Sequence, residues 1–539
     1  MFLSKASPVA AATEPLKWTI LSLSFVIVLT TAIRLPLLAI PFERDEGEYA
    51  YIAWRLGAHE LPYREWIDQK PPGIFWAYRA ALAFPLEPVR AAHALALIVS
   101  AASACALFFL ARRFMGIFWA CAAAALFAVL SADPWIEGAS ANTEIFMLLP
   151  LILSLPAFLR AEPEGRRGKA FMLLCGALVG AAALFKQVAA VNWPFLVALY
   201  PIYVARGKRL RHTFSFAAWS AAGSAAIWLP VLAYFFLRGA LGDFIANVFT
   251  HNLEYVNAVP WSSRWDNCAQ TMETLSRAQA TAYLFAFAGF WALLRAGRGR
   301  LFLLLAGWLA ASFLATSASG YFFPHYFQQL LPSLALAAAL GAEALCLARL
   351  PRAVAPAARK ALAVLLLAAP PAFAFYPFFF KMTPADAVTK IYPGNFFAEM
   401  PALAQRLAEV TRPDARVFVF GAEAELLFYA RRVSATRYIF LFPLYGPYSS
   451  ARKNQLAAAE EITAARPAAA LLLPNGLFFG RGTDQYFTRW TQFYFHEFFQ
   501  EDMRLLFDRL GAPSLLREAG SPLPDGAQQV GALLVRKAR

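Results

Sequence analysis

The sequence predicts a polytopic α-helical membrane protein that carries a small α/β domain at its C-terminal end. The chain has 539 residues, of which 60% are hydrophobic and only 15% are charged, and its mean hydropathy is +0.49. An average soluble domain is about 45–50% apolar and about 25% charged. Apolar runs of membrane length recur as far as residue 380 and then stop. The excess apolar surface therefore faces lipid, and the C-terminal part folds separately.

Eleven apolar runs are long enough to cross about 30 Å of hydrocarbon, which takes roughly 17–25 residues. The first run follows Lys17, exceeds the roughly 7–15 apolar residues of a signal peptide and lacks a small-residue cleavage site, so we interpret it as a retained span. The runs predict a membrane domain over residues 1–380 with a first extracytoplasmic loop at 41–88. They lie near residues 18–40, 89–111, 114–131, 143–160, 169–186, 188–204, 213–237, 278–296, 299–316, 324–347 and 361–380.

Basic residues occupy every second connection between these runs. On a soluble protein, a net charge of +15 would suggest binding to nucleic acid. Here the clustering of basic residues between apolar runs indicates membrane topology instead, so we expect lipids and not nucleic acid as partners. The positive-inside rule places these connections in the cytoplasm, and the loop 41–88 and the C-terminus on the outer side of the membrane. The basic residues are Arg112, Arg113, Arg160, Arg166, Arg167, Lys169, Arg206, Lys208, Arg209, Arg211, Arg295, Arg298, Arg300, Arg349, Arg352, Arg359 and Lys360.

Residues 381–539 carry dispersed charges and no run of membrane length. The segment RVFVFG at 416–421 is typical of a buried strand, followed by a turn and a helix. The segments at 468–474 and 531–537 predict further strands, and strands that alternate with helices favour a small α/β domain outside the membrane. None of the five cysteines lies in this domain or has metal-ligand spacing, so we expect neither a disulfide framework nor a cysteine metal site.

The most polar stretch in the first half of the chain runs from Phe42 to Gly73. It holds seven acidic and four basic residues directly after the first apolar run. Apolar residues at helical spacing after Asp45 predict a short interfacial helix, and Pro71 and Pro72 separate it from a second one. We expect a membrane protein that keeps so many ionisable groups at one surface to use some of them in its function.

Asp45 allows two interpretations. Asp45 and Glu48 form the Asp-x-x-Glu pattern of a capping box, in which Asp45 would only start the helix. Alternatively, Asp45 stands beside Glu46 at the membrane boundary, where repulsion and desolvation can raise the pKa of a carboxyl group. A general base needs such a position.

Several segments together resemble a known family. Residues 44–50 read RDEGEYA and residues 68–72 read DQKPP, in the loop after the first span. Later segments are NTEIF at 142–146, LFKQ at 184–187, PHYFQQLLP at 324–332 and FGAEAELLFYARRVSATRY at 420–438. This set resembles the protein O-mannosyltransferase-like branch of the GT-C glycosyltransferases, which includes bacterial enzymes that add aminoarabinose to lipid A. The usual aliphatic residue after KPP is Gly73 here.

The resemblance implies a GT-C fold, a polyprenyl-phosphate-sugar donor and inversion at the anomeric carbon. The acceptor would be a hydroxyl group of a glycolipid, a polysaccharide or a protein, bound by the loop 238–277 and residues 381–539. The resemblance also implies that Asp45 is the catalytic base. Glu144 stands at the place of the family's second acidic residue, which is Asp in many relatives, and Glu46 completes the catalytic candidates.

A sugar on a lipid phosphate is already activated, because its leaving group is a phosphate monoester anion. Such a reaction needs a base, an oriented acceptor and cations that stabilise the growing charge on the phosphate. Lysine and arginine recognise phosphate through charge and reach. The candidate phosphate-binding residues are Lys70, Lys186, Arg264 and His325, and the candidate substrate-binding residues are Tyr49, Tyr326 and Arg437.

Each of these candidates has a structural alternative. Lys186 at a span end can snorkel to lipid headgroups, and Glu144 in a first helical turn is favoured by the helix dipole. His325 can be an interfacial residue, and Arg437 can pair within the outer domain. We expect a reaction without a metal, and the alternative is a divalent cation, Mg²⁺ or Mn²⁺, held by Asp45, Glu46 and Glu144 with water.

A second class of function also fits a polytopic protein of this kind. A transporter or flippase of a lipid-linked sugar intermediate would need polar residues within the spans and commonly shows internal symmetry. The charges here cluster at one membrane face, and the sequence shows no internal repeat. We therefore favour the glycosyltransferase and keep the flippase as the alternative.

Overall fold

The structure is a computed structural model that describes residues 15–204, 209–348, 355–474, 485–517 and 522–538. The predicted cytoplasmic residues Arg206, Lys208, Arg349 and Arg352 lie outside these ranges. The chain divides into two compact units. The first comprises the described parts of Met1–Leu38, His93–Tyr234 and Pro260–Lys381, and the second those of Ala39–Ala92, Phe235–Val259 and Met382–Arg539. The domain boundary at residue 380 stays a prediction.

The first unit is built from apolar helices. Each of the eleven predicted apolar runs overlaps one of them. The α-helices are Leu16–Arg34, Pro88–Ala111, Ile117–Leu130, Thr143–Phe158, Arg166–Ala183, Asn192–Tyr203, Arg209–Leu237, Trp261–Arg295, Gly299–Ser317, Leu331–Ala348 and Pro356–Phe380. Short 3₁₀ segments lie at Leu35–Leu37, Pro134–Ile136, Gln187–Val191 and Pro324–Leu330.

Within the described part of the chain, six helical segments are long and apolar enough to cross a membrane. Two shorter helices, Ile117–Leu130 and Thr143–Phe158, are also apolar. This pattern supports a multi-pass membrane location, and the number of crossings stays a prediction. The six segments are Leu16–Leu37, Pro88–Ala111, Arg209–Leu237, Gly299–Ser317, Pro324–Cys346 and Pro356–Phe380.

Two glycines allow the closest helix packing in the first unit. A Cβ atom on Gly289 would collide with the carbonyl oxygen of Ala337, and one on Gly341 would collide with that of Phe285. Helices Trp261–Arg295 and Leu331–Ala348 therefore meet backbone to backbone. Small residues at such contacts are typical of helix association in lipid, where hydrophobicity alone does not drive packing.

The expectation of a loop at residues 238–277 is wrong. Most of this stretch is helical, in the segments Leu241–Ile245, Ala246–Thr250 and His251–Val256 of the second unit and in the helix Trp261–Arg295 of the first. The helix Trp261–Arg295 was not predicted over its full length because its first half is polar, although it contains neither Gly nor Pro before Gly289. Cys268, Leu275 and Gln279 recur at helical spacing along it and are buried, so one face of the helix packs against protein.

The described residues of the second unit form a six-stranded sheet with helices around it. The sheet has the order β2-β1-β3-β6-β4-β5, in which β1 is parallel to β2 and β3 and the other pairs are antiparallel. The strands are β1 (Arg416–Phe420), β2 (Val433–Ser434), β3 (Ala469–Leu472), β4 (Phe499–Phe507), β5 (Pro513–Arg517) and β6 (Gln528–Arg536). The three predicted strands correspond to β1, β3 and β6, and the predicted small α/β sheet is confirmed.

The remaining helices of this unit include the two predicted in the polar stretch. Gly47 lets the first of them approach its neighbour closely, since an added Cβ atom would lie 2.6 Å from the backbone nitrogen of Glu425. The helices are Arg44–Leu56, Gly73–Ala81, Pro384–Ile391, Met400–Val410, Ala424–Ala430, Phe442–Tyr445, Ala451–Ala465 and Tyr486–Phe498.

Candidate active site

Glu43, and not Asp45, caps the helix Arg44–Leu56. The Glu43 carboxylate accepts the backbone N–H groups of Asp45 at 3.0 Å and Glu46 at 3.2 Å, and the Glu46 carboxylate accepts the N–H of Glu43 at 3.4 Å. The interpretation of Asp45 and Glu48 as the capping box is therefore wrong. The sequence contains two overlapping acidic pairs three residues apart, and the earlier pair forms the box. Asp45 consequently keeps its side chain for other contacts.

Asp45, Tyr49 and Lys70 form a hydrogen-bonded triangle in the second unit. Lys70 Nζ lies 3.1 Å from Asp45 Oδ2 and 3.0 Å from the Tyr49 hydroxyl oxygen. The Tyr49 hydroxyl donates to the same Asp45 oxygen at 3.2 Å. The Asp45 side chain is 30% exposed and that of Lys70 is 13% exposed, so the triangle is accessible to a ligand at the carboxylate.

The segment around Lys70 is held by its backbone. The Lys70 N–H donates to Asp68 Oδ1 at 2.7 Å, and the Lys70 carbonyl accepts from the Tyr63 hydroxyl at 2.8 Å. Pro71 and Pro72 follow, and their rings restrict the backbone. The backbone from which the Lys70 side chain extends is therefore held in place.

The charges within the triangle are well defined. Burial would lower the pKa of Lys70, but the Asp45 carboxylate, with smaller contributions from Tyr49 and nearby acids, raises it well above its usual value. Burial and the Asp45 carboxylate raise the pKa of Tyr49 well above its usual value. Lys70 therefore remains a cation and Tyr49 remains a neutral donor throughout the physiological pH range.

A carboxyl pair that the sequence analysis missed lies beside Lys70. Glu48 and Asp68 are both buried. Burial and the Asp68 carboxylate raise the pKa of Glu48 well above its usual value, and burial raises the pKa of Asp68 to about 6. The buried site therefore favours the protonated form of Glu48. The spacing of three residues from Asp45, which places Glu48 near Asp45 on the helix, could have revealed its position.

Glu46, a catalytic candidate, is engaged structurally. It is fully buried, and its Oε1 accepts the hydroxyl of Tyr78 at 3.3 Å while its Oε2 belongs to the capping box. Both carboxylate oxygens therefore have protein donors, which favours a role in holding the helix. A catalytic role of Glu46 stays a prediction.

The first unit brings four further candidates into one cluster. Lys186 Nζ forms an ion pair with Glu144 Oε1 and lies 3.5 Å from the ring centroid of Tyr326. Glu144 Oε2 accepts the Thr143 hydroxyl at 2.8 Å. The ring of His325 lies 4.8 Å from that of Tyr326. Lys186 therefore points into the protein toward a carboxylate and does not snorkel outward.

Glu137 joins this cluster and was missed by the sequence analysis. Its Oε2 lies 2.7 Å from His325 Nδ1. The two residues are 188 positions apart, so no local pattern could pair them. The only local signal was the Asp-Pro-Trp turn that precedes Glu137, which is typical of a rigid connection.

The last two candidates lie elsewhere in their units. Arg264 of the first unit stands over the ring of Trp261, with its guanidinium carbon 4.4 Å from the ring centroid. Arg437 of the second unit donates to Glu461 Oε1 at 2.6 Å, so the local ion pair that we considered as its alternative is present. Neither observation tests a role in binding the donor or the acceptor.

The described residues contain no group of three or more His, Cys, Asp or Glu side chains that could hold a metal ion. The carboxylate oxygens of Glu46 and Glu144 accept hydrogen bonds from protein donors. The carboxylates of Glu46 and Glu144 are therefore poorly suited to bind Mg²⁺ or Mn²⁺, whereas Asp45 is partly exposed. The dependence of the reaction on a metal is untested.

Comparisons with known proteins identify the fold. The family described as dolichyl-phosphate-mannose-protein mannosyltransferase matches residues 69–234. The crystal structure of ArnT from Cupriavidus metallidurans bound to undecaprenyl phosphate is similar over 97% of this chain and 98% of that chain, with a TM-score of 0.59 and 16% identity. The oligosaccharyltransferase AglB from Archaeoglobus fulgidus, in complex with an inhibitory peptide and a dolichol-phosphate, is similar over 95% of this chain and 75% of that chain, with a TM-score of 0.53 and 12% identity.

A search among curated proteins gives no significant match. The chain has the GT-C glycosyltransferase fold, and the resemblance expected from the sequence is confirmed.

Proposed function

We propose that the protein is an integral-membrane inverting glycosyltransferase. It moves a sugar from a polyprenyl-phosphate donor to a hydroxyl group of a lipid, a glycan or a protein on the periplasmic face of the inner membrane. Two proteins of the same fold support the class of donor, because they are bound to undecaprenyl phosphate and to a dolichol-phosphate. The observation that carries the proposal is the triangle of Asp45, Tyr49 and Lys70, which places a carboxylate beside a fixed cation.

Asp45 is the base and Lys70 a ligand of the donor phosphate. While Lys70 is paired with Asp45, the carboxylate is a weak base, because the cation stabilises its charged form. The phosphate of an arriving donor competes for Lys70 Nζ and draws it away. Asp45 then regains basicity when the donor is bound, so the donor itself activates the base. Tyr49 keeps a hydrogen bond to the carboxylate during this exchange.

The chemical step needs no further reactant. Asp45 takes the proton of the acceptor hydroxyl as its oxygen attacks the anomeric carbon from the face opposite the phosphate. The new C–O bond forms as the bond from the anomeric carbon to the phosphate oxygen breaks, and both electrons of that bond leave with the polyprenyl phosphate. Lys70 stabilises the added negative charge. Attack from the opposite face inverts the configuration of the sugar.

Within the first unit, Lys186 and His325 are proposed as phosphate ligands, supported by the ammonium and imidazole groups that both lie beside Tyr326. Glu144 holds Lys186 by the ion pair described above. In this proposal Glu144 positions Lys186, and Asp45 alone takes the proton.

The experiment is a transfer assay with purified protein, a polyprenyl-phosphate sugar and a membrane extract as the source of acceptor. Release of polyprenyl phosphate together with a glycosylated product supports the proposal. Movement of the lipid-linked sugar across a vesicle membrane, without release of polyprenyl phosphate, would support the flippase instead. Asp45→Asn should abolish release while the protein still inserts and folds. The exposed Asp414→Asn is a matched control, and full activity of Asp45→Asn would remove Asp45 as the base.

A further inference from the structure

Residues 131–138 of the first unit form a turn that buried groups hold together. Arg34 donates to the carbonyl oxygens of Ser131 at 2.7 Å and Gly138 at 2.5 Å and so joins the two ends of the turn. Between these ends, Asp133 Oδ2 accepts a hydrogen bond from Gln279 at 2.6 Å. Arg34, Asp133 and Gln279 are all buried, so the turn is fixed from inside the unit.

This turn presents Glu137 in an unusual conformation. Glu137 has a φ of 57°, in the left-handed region that non-glycine residues rarely adopt. Such a conformation persists where the surrounding structure over-determines it, and it is common at functional sites. Gln328 also donates to the carbonyl oxygen of Ile136 at 3.1 Å. The turn is therefore attached at two points to the segment that carries His325.

We propose that Glu137 is a positioning residue for the donor phosphate, because it fixes the ring of His325 so that Nε2 is presented to a phosphate oxygen. This inference rests on the proposed function. Nδ1 lies 2.7 Å from Glu137 Oε2, and because a carboxylate oxygen accepts, Nδ1 is assigned as the N–H donor of this pair. Nε2 has no hydrogen-bond partner among the described residues. A carboxylate opposite Nδ1 selects the ring orientation and favours the imidazolium, whose Nε2–H can donate to an anion.

Both cations of this cluster follow the same arrangement. Glu144 supports Lys186, and Glu137 supports His325. Both cations lie beside the ring of Tyr326. Two nitrogen donors, each held by its own carboxylate and both beside one aromatic ring, can donate to the oxygens of an anion such as a phosphate.

A purely structural role would also account for a hydrogen bond between Glu137 and His325. The two roles differ in what happens when both residues are changed. If Glu137 acts on the phosphate through His325, its effect on phosphate binding disappears once His325 is removed. If Glu137 only holds the turn, its effect adds to that of His325.

The experiment is a double-mutant cycle with Glu137→Ala, His325→Ala and the double variant. The measurements are the dissociation constant of a short-chain polyprenyl phosphate in detergent, the donor KM and kcat. We expect Glu137→Ala to weaken polyprenyl phosphate binding by about tenfold and to raise the donor KM more than it lowers kcat. Glu137→Gln keeps a hydrogen-bond acceptor without the charge, so its affinity for polyprenyl phosphate should lie between those of the wild type and Glu137→Ala. The double variant should bind no more weakly than His325→Ala.

The exposed Glu162→Ala is the matched control in the same unit. Additive effects in the cycle, or unchanged polyprenyl phosphate binding in Glu137→Ala, would overturn the inference. If Glu137→Ala does not fold, the cycle is run with Glu137→Gln under the same criteria. If the wild-type protein does not release polyprenyl phosphate, the proposed function itself is contradicted. If the wild type releases polyprenyl phosphate and Glu137→Ala binds it as tightly as the wild type does, only this inference is contradicted.

Discussion

Lys70 and Asp45 lie 25 residues apart in the sequence and meet with Nζ 3.1 Å from Oδ2. The pair joins the helix Arg44–Leu56 to the double-proline segment after Lys70. Neither residue is fully exposed, since their side chains are 13% and 30% accessible. An ion pair in such a place is screened less than a surface pair. In the proposed mechanism, Lys70 and Asp45 therefore neutralise each other until the donor phosphate binds.

The hydroxyl of Tyr49 is expected to matter for this exchange. Tyr49→Phe removes a hydrogen bond to Asp45 and another to Lys70 but keeps the buried ring. Loss of a hydrogen bond to a charged group costs about 1.5–3 kcal/mol, so kcat/KM should fall by roughly tenfold to a hundredfold. The measurement is the initial rate of polyprenyl phosphate release. Tyr234→Phe, at a half-exposed site in the first unit, is the control, and an unchanged rate in Tyr49→Phe would contradict the exchange.

The ion pair of Lys186 and Glu144 should also determine the stability of the first unit. Lys186→Met leaves the Glu144 carboxylate buried and without its cation. Breaking a buried pair in this way costs about 3–5 kcal/mol, so the thermal midpoint in detergent should fall. Adding Glu144→Gln removes the buried charge and should restore most of the midpoint without restoring transfer. The exposed Lys169→Met is the control. Equal midpoints for the single and double variants would exclude this explanation.

Glu425 should make the stability of the second unit dependent on pH. It is fully buried, and neither carboxylate oxygen has a hydrogen-bond partner among the described residues. Burial, with the neighbouring Glu423, raises the pKa of Glu425 well above its usual value near 4.5. A carboxyl group with a raised pKa stabilises the fold fully below the unfolded pKa and loses this contribution as the pH rises through the folded pKa. The stability of the wild-type protein should therefore fall as the pH rises above about 4.5.

Glu425→Gln cannot ionise and should remove this part of the pH dependence. The measurement is the thermal midpoint in detergent over a series of pH values, with the exposed Glu460→Gln as control. Parallel curves for the wild type and Glu425→Gln would show that Glu425 is not the responsible group.

Gly47 should tolerate no side chain. A Cβ atom at this position would collide with Glu425, whose backbone nitrogen and Cα would be only 2.6 and 2.8 Å away. Overpacking of this kind costs about 1–3 kcal/mol, so Gly47→Ala should lower the thermal midpoint. It should also reduce transfer, because the helix that carries Asp45 must shift. Gly242→Ala has open space around its Cβ and should be neutral or slightly stabilising. A stable, fully active Gly47→Ala would refute the close contact.

Much of the fold could be predicted from the sequence, because apolar runs report burial directly. All eleven runs overlap helices, and the predicted strands at 416–421, 468–474 and 531–537 match β1, β3 and β6. The helix Trp261–Arg295 was partly missed since its first half is polar outside the buried positions. The helix there is stabilised by burial of one face, and residue types alone give only a weak signal of that burial.

The candidate site likewise contains residues that the sequence predicts and residues that only the structure reveals. The motifs identified Asp45, Tyr49 and Lys70, and the structure brings these three side chains together. Choosing between Glu43 and Asp45 as the cap was beyond the sequence, because both begin an acidic pair with the right spacing. Glu137 was also beyond it, because its partner His325 is distant in the chain and only tertiary packing joins them.

The burial of Glu48 beside Asp68 has a consequence for which side chains can replace either residue. Burial and the Asp68 carboxylate raise the pKa of Glu48 well above its usual value, so the buried site favours its protonated form. An amide is uncharged and similar in size to a protonated carboxyl group, so Gln should replace Glu at position 48 with little penalty. Position 68 should instead retain an oxygen that accepts the backbone N–H of Lys70, which Asp and Asn both supply.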